Sequence, residues 1–141
     1  MWQDGYGTGR IVPSFSQRSR ERLDTCDARL RRVFDEVVRT FDCSILEGHR
    51  ERERQNQMVR EGASQLHWPD SKHNAVPSKA VDVAPYPIDW TDRERFSLFA
   101  GYVMGIAASH GVRLRWGGDW RMDWNLKNNN FDDLPHFELV E

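Results

Sequence analysis

Three short segments of the chain carry side chains that together could bind one metal ion. They contribute two histidines and one carboxylate, His73, Asp82 and His136. With one position left to water, this donor set is typical of a catalytic zinc ion, whereas structural zinc sites fill all four positions with protein. Asp133 lies three residues before His136, where its carboxylate could accept a proton from that water. The pattern predicts a hydrolytic zinc site.

Alternating apolar and polar residues explain how such ligands could meet. In a strand predicted from Ala80 to Ala84, the valines beside Asp82 point to the core and Asp82 points away. In a strand predicted from His136 to Val140, the same alternation turns His136 away from the core. If the two strands are neighbours, His73 can fold over their shared polar face from the preceding loop. A packed sheet would then support the ligands rigidly.

The position of Asp133 needs a separate argument, because residues three apart in one strand point to opposite faces. Pro135 cannot donate to a sheet ladder and commonly marks the first residue of a strand. We therefore expect Asp133 on the preceding loop, free to turn toward the metal. Asp132 is the main competitor for the role of base, and Glu138 is a second alternative.

The remaining pattern predicts an α+β domain with a small, mainly antiparallel sheet flanked by helices. The further elements are a helix from Ser16 or Ser19 to Thr40, a strand from Phe41 to Leu46, a polar helix ending near Gly62, a helix opened by a capping box of Thr91 and Glu94 and ended by Gly111, and a strand from Val112 to Trp116. Glycine-rich residues 1–15 are predicted to be an irregular arm, and residues 16–141 a single domain.

Composition narrows the class of protein. A chain of 141 residues, 38% hydrophobic and 30% charged, can form one folded domain with one core. A net charge of −2 provides no global basic field, so no nucleic-acid partner is expected. Cys26 and Cys43 form no CxxC pair and are expected to be reduced core thiols, with a disulfide as the alternative. No signal-peptide pattern and no membrane-span window are visible, which favours a cytoplasmic protein.

Four motifs, in this order and spacing, resemble the phage-type L-alanyl-D-glutamate peptidases. These are cell-wall-cutting endolysins of the zinc D-Ala-D-Ala peptidase superfamily, which shares a fold with the Hedgehog signalling domain. The resemblance runs from about Phe41 to the C-terminus. The motifs are Gly48-His49-Arg50 followed by Gln55 and Gly62; Ser71-Lys72-His73 continuing to Ala80-Val81-Asp82-Val83-Ala84-Pro85; Leu114-Arg115-Trp116-Gly117-Gly118-Asp119-Trp120; and Asp133-Leu134-Pro135-His136-Phe137-Glu138-Leu139.

The resemblance implies a role for individual residues. It implies zinc ligands at His73, Asp82 and His136, a catalytic acid/base at Asp133, a substrate-contacting arginine at Arg50, and a substrate-binding serine at Ser71. One departure concerns the loop between the first two ligands. It is two residues longer than the superfamily pattern, with Pro77-Ser78 where a glycine would stand, and is expected to enlarge the loop beside the metal.

The implied function is hydrolysis of bacterial peptidoglycan stem peptides at the L-Ala–D-Glu bond by a monomeric endolysin. Such an enzyme would wait in the host cytoplasm until a membrane pore gives it access to the wall. Two alternatives use the same scaffold. A D-alanyl-D-alanine carboxypeptidase would share the metal chemistry, and a zinc-bearing binding module would lack turnover. The presence of Asp133 argues against the module, which needs no acid/base.

Overall fold

Four helices and one four-stranded antiparallel sheet build the part of the chain that the computed structural model describes, residues 12–141. The helices are α1 (Gln17–Leu23), α2 (Ala28–Thr40), α3 (Arg52–Arg60) and α4 (Arg93–Ser109), and the strands are β1 (Cys43–Glu47), β2 (Ala80–Pro85), β3 (Leu114–Trp116) and β4 (His136–Leu139). The predicted α+β class is confirmed. The predicted arm lies outside the described residues, except for residues 12–15, which have no regular structure.

The sheet has the strand order β1-β2-β4-β3, so the two ligand-bearing strands are central neighbours. Val81 of β2 pairs with Phe137 of β4, and both side chains are fully buried. The Phe137 ring packs edge-on against Phe34 of α2, with centroids 5.5 Å apart, and against Phe99 of α4 at 6.2 Å. The core therefore lies on the helix-covered face of the sheet, as the alternation predicts, and the polar residues of β2 and β4 project from the other face.

The single long helix predicted before Thr40 is wrong, because the chain leaves the helix between α1 and α2. There the backbone pairs with Ser78, whose N–H donates to Thr25 O at 2.9 Å and whose carbonyl accepts from Asp27 N at 2.8 Å. The Asp27 carboxylate then caps α2 by accepting from Arg29 N at 2.9 Å. The apolar periodicity continues across the break because Cys26 is buried in the observed structure, as it would be in one continuous helix.

The predicted start of α4 is also corrected. Its N-cap is Asp92, whose carboxylate accepts from Arg95 N at 3.1 Å, while the Thr91 hydroxyl donates to Asp89 at 2.7 Å. Two predicted helix ends are confirmed, since Gly62 and Gly111 follow α3 and α4 with φ of 76° and 69°, the left-handed conformation that glycine tolerates.

Cys26 and Cys43 are expected to be core thiols, and the sequence shows no membrane-span window. Cys26 and Cys43 are buried free thiols, and burial raises the pKa of both well above the usual range. This confirms the expectation of core thiols. Within residues 12–141, every helix is too short or too polar to cross a bilayer.

Candidate metal centre

Strand pairing brings two of the predicted ligands together. Asp82 of β2 lies directly opposite His136 of β4 in the antiparallel register. His136 Nδ1 is 3.3 Å from Asp82 Oδ1, and His73 Nε2 approaches the same oxygen to 3.4 Å. One donor atom from each of the three residues lies within 4.8 Å of the others. The predicted convergence of His73, Asp82 and His136 is thus present in the fold.

His73 is carried by a one-turn 3-10 helix, Lys72–Asn74, rather than by a featureless loop. The Ser71 hydroxyl accepts from His73 N at 3.2 Å, and the Asn74 side-chain oxygen accepts from Ser71 N at 3.1 Å, which closes a capping box. The ring is oriented by Gly48, whose carbonyl lies 2.7 Å from His73 Nδ1. A carbonyl can only accept, so Nδ1 carries the proton and the Nε2 lone pair faces Asp82.

Two atoms at the point of convergence lack a hydrogen-bond partner among the described residues. They are His73 Nε2 and Asp82 Oδ1, and both are buried. A buried lone pair without a donor costs on the order of 1–3 kcal/mol, so such atoms are uncommon in folded proteins. An imidazole nitrogen and a carboxylate oxygen aimed at one point satisfy each other poorly but are good ligands for a divalent cation. The residues therefore fit a metal ion chemically.

His136 is oriented by Glu138, two residues further along β4. Glu138 Oε1 lies 2.8 Å from His136 Nε2 and accepts a hydrogen bond from it, so Nδ1 is the ring nitrogen that faces Asp82. The other oxygen of Glu138 is held by Lys72 Nζ at 3.4 Å and Arg115 Nη1 at 3.3 Å. A carboxylate behind a ligand imidazole fixes its orientation and raises its basicity. This role of Glu138 was missed, although its position on the same strand face as His136 is a usable signal.

The charges of the cluster favour a bound cation. Burial lowers the pKa of His136, but Asp82 and Glu138 outweigh it and raise that pKa to about 9. Burial raises the pKa of Asp82, but His73 and His136 outweigh it and hold that pKa far below its usual range. The site therefore stabilises positive charge on imidazole and negative charge on carboxylate, and a metal ion could replace the proton shared between them.

Asp133 lies on the loop before β4, as predicted, and the sheet edge holds its backbone. Asp133 N donates to Gly117 O at 3.0 Å, and Asp133 O accepts from His136 N at 3.1 Å. The approach is so close that a Cβ at Gly117 would overlap the carbonyl oxygen of Asp133. Burial and the Asp82 charge raise the pKa of Asp133, against smaller opposing effects of the histidines and Arg50. Its carboxyl group is therefore within the electrostatic field of the cluster.

Asp132 is engaged elsewhere. Its carboxylate forms an ion pair with Arg93 and accepts from Asn129 Nδ2 at 2.7 Å, at the protein surface. Between the two candidate bases, this geometry favours Asp133.

Trp120, the last residue of the motif that begins in β3, forms a wall of the site. Its ring lies over His136, with centroids 5.3 Å apart and an interplanar angle of 37°. Its indole N–H donates to Phe131 O at 2.6 Å.

The two residues expected at the substrate are both largely enclosed. Arg50 is 5% exposed, and its guanidinium donates to Glu47 Oε1 and to Gln55 Oε1, with Nη2 3.6 Å from Asp82 Oδ2. Ser71 is buried, and its hydroxyl caps the turn that holds His73. The structure thus brings both residues to the cluster, where each contacts a ligand residue or its supporting turn.

Comparison with known proteins agrees with this geometry. The family described as phage L-alanyl-D-glutamate peptidase matches residues 11–140. The L-alanyl-D-glutamate peptidase of Escherichia phage T5 is 30% identical over 135 residues, which cover 89% of this chain and 97% of that protein. The crystal structure of the L-Ala D-Glu endopeptidase ChiX of Serratia marcescens superimposes with a TM-score of 0.73 at 30% identity, covering 95% of this chain and 96% of ChiX. The chain belongs to the phage L-alanyl-D-glutamate peptidase family and is a peptidase.

Proposed function

We propose that this protein is a zinc peptidase of phage lysis that cleaves the L-Ala–D-Glu bond of peptidoglycan stem peptides. The observation that carries the proposal is the convergence of His73, Asp82 and His136 near Asp133. Two buried atoms of this group that could bind a metal, one nitrogen and one oxygen, have no hydrogen-bond partner among the described residues. The names of the relatives supply the scissile bond, since both act between L-alanine and D-glutamate. Two imidazoles and one carboxylate are a catalytic zinc donor set.

The proposed mechanism divides the chemistry between the metal and the chain. His73, Asp82 and His136 would hold the zinc ion, which would supply Lewis acidity and a water nucleophile near neutral pH. Asp133 accepts the proton of the attacking water and returns it to the leaving amine. Burial raises the pKa of Asp133, which is the direction that favours acceptance of a proton. The Trp120 ring covers His136 on one side of the site.

Arg50 and Ser71 are proposed to act through the ligands. The resemblance assigns both to the substrate, but their hydrogen bonds support a role one contact away. Ser71 holds the His73 turn, and the positive charge of Arg50 lies behind Asp82. From there, Arg50 still contributes an electrostatic attraction to the negative charge that develops on the substrate carbonyl.

The bond specificity is tested by product analysis. Purified protein is incubated with muropeptides of known structure, and mass spectrometry identifies the fragments. We expect fragments that begin with D-glutamate, loss of activity with a chelator, and recovery with added Zn²⁺. Release of free D-alanine would instead indicate the carboxypeptidase, and intact muropeptides with a zinc-loaded protein would indicate the binding module.

We further propose that the protein acts as a monomer that reaches peptidoglycan from the host cytoplasm. All candidate ligands and the candidate base come from one chain, so no second copy is needed to complete the site. Expression in a bacterial host should cause lysis only when a pore-forming protein is expressed with it. Lysis without the pore would contradict the proposed route.

A further inference from the structure

We propose that Gln55 is a positioning residue of the metal centre. In this inference its side-chain amide holds Arg50 against one oxygen of Asp82, so that Asp82 offers a single oxygen to the metal. The inference rests on the proposed metal function of the site, but it concerns residues outside the ligand set. It is carried by a buried hydrogen-bond network that links α3, Arg50 and the turn of His73.

Gln55 is fully buried on α3, and its amide uses its full hydrogen-bonding capacity. Its oxygen accepts from Arg50 Nη1 at 2.9 Å and from Asn74 Nδ2 at 3.2 Å. Its nitrogen donates to Ser64 Oγ at 3.0 Å and to Leu66 O at 2.5 Å. A flipped amide would oppose donors to donors and acceptors to acceptors, so the surroundings allow only this orientation. The acceptor side of Gln55 therefore always faces Arg50.

This contact fixes the direction of the Arg50 guanidinium. Glu47 Oε1 accepts from Arg50 Nε at 3.1 Å and from Nη2 at 2.8 Å, on the side opposite Gln55. With both edges held, Nη2 lies 3.6 Å from Asp82 Oδ2. The planar guanidinium cannot turn away without losing a hydrogen bond to Glu47 or to Gln55, and the freed Gln55 oxygen would remain buried.

The two oxygens of Asp82 consequently face different partners. Oδ1 faces the imidazole nitrogens at 3.3 and 3.4 Å, whereas Oδ2 faces the Arg50 cation. An oxygen paired with a cation is a poorer metal ligand, so Asp82 should bind through Oδ1 alone. A one-oxygen carboxylate together with His73 and His136 leaves a position open for water, which a catalytic zinc site needs.

The same amide also supports the second ligand element. Asn74 directly follows His73, and its side chain donates both to Gln55 Oε1 and to Arg50 O, the latter at 3.0 Å. Arg50 N in turn donates to His73 O at 2.8 Å. Gln55 therefore couples the turn that carries His73 to the arginine that orients Asp82, and its loss should disturb both ligands at once.

The test compares Gln55→Leu with Gln57→Leu, a matched change on the exposed side of the same helix. The zinc dissociation constant is measured by competition with a chromophoric chelator, and the visible spectrum is recorded with Co²⁺ in place of zinc. For Gln55→Leu we expect zinc binding weaker by ~10–100-fold, the usual effect of removing an outer-shell partner. We also expect weaker Co²⁺ absorption, because two-oxygen binding by Asp82 raises the coordination number. Gln57→Leu should match the wild type in both measurements.

A Gln55→Leu protein with wild-type zinc affinity and an unchanged Co²⁺ spectrum would overturn the inference, even if its unfolding temperature falls. If that variant does not fold, Arg50→Lys decides, because lysine keeps the charge and loses the planar fork. Arg50→Lys should shift the Co²⁺ spectrum in the same direction, and an unchanged spectrum would refute the role of the fork. A wild-type protein that binds no zinc would refute the proposed function instead, so the two failures are distinguishable.

Discussion

At the scale of residues, the short segment before and within β4 assigns different tasks to neighbouring carboxylates. Asp132 is paired with Arg93 at the surface, Asp133 is half-buried in the field of the ligand cluster, and Glu138 accepts the ring proton of His136. Their chemistry is the same, so environment alone separates them. Burial and a nearby anion raise the pKa of Asp133, whereas His136 and Lys72 outweigh burial and lower that of Glu138.

This separation predicts the effect of Asp133→Ala. The substitution should leave zinc stoichiometry intact and lower the rate of muropeptide hydrolysis by about 10²–10⁴-fold, the range for loss of a general acid/base. Asp132→Ala serves as the control and should lose less than about tenfold, because its partners lie at the surface. Rates follow from chromatography of the products, and zinc from metal analysis. If Asp132→Ala is the slower variant, the base has been assigned to the wrong residue.

At the scale of elements, the antiparallel β2–β4 pairing supplies two of the candidate metal ligands, and a capped turn supplies the third. The break between α1 and α2 matters to the same site, because it lets the chain pair with Ser78 just before β2. The end of α1 also packs against Gly48, where a Cβ would overlap Arg22 O, and Gly48 O orients His73. The helix break and the ligand turn are thus parts of one packed unit.

The cap at this break gives a stability prediction. Asp27→Ala removes the N-cap of α2 and should lower the free energy of unfolding by about 1 kcal/mol at pH 7, measured by urea titration. The hydrogen bond from the Arg29 side chain, against burial, lowers the pKa of Asp27 from 3.8 to about 2. Its contribution is therefore complete above the unfolded pKa and disappears as the pH falls toward 2.

The difference between wild type and Asp27→Ala should accordingly shrink between about pH 4 and pH 2. Asp24→Ala, which removes an exposed ion pair with Arg20, is the matched control and should cost less than about 0.5 kcal/mol. A difference that grows on acidification would show that the Asp27 carboxylate does not stabilise the native state.

At the scale of the whole molecule, the candidate metal centre joins distant parts of the chain. Its candidate ligands come from the turn before β2, from β2 and from β4, and Arg50, which contacts Asp82, follows β1. The unfolded chain cannot hold these groups at one point, so a metal ion at the proposed site would bind the native state preferentially. Metal binding should therefore be coupled to the stability of the entire domain.

Metal removal should lower global stability by a predictable amount. Free Zn²⁺ at 100 times its dissociation constant stabilises a one-site protein by about 2.7 kcal/mol, so adding a chelator should lower the unfolding temperature. Scanning calorimetry with and without chelator measures the shift. In His73→Ala the chelator should have much less effect, because one of the three ligands is gone. Equal unfolding temperatures with and without chelator would contradict preferential metal binding by the native state.

Features that depend on short-range patterns were predictable from the amino-acid sequence. Strand alternation at Val81-Asp82-Val83 and His136-Phe137 predicts which side chains leave the core, and Gly62 and Gly111 mark helix ends because of their backbone freedom. The alternation of side chains and the local backbone conformation depend on a few consecutive residues, so the sequence of a short segment is enough to predict them.

Which distant groups meet, and through which atoms, depends on the packing of the folded chain. The Ser78 pairing breaks the predicted helix, and Gly117 holds the loop of Asp133. Gly48 and Glu138 select which nitrogen of each histidine faces Asp82. Arg50 is likewise turned toward Asp82 by Gln55. These contacts join residues far apart in the chain, and their geometry depends on strand register and packing, which no local pattern encodes.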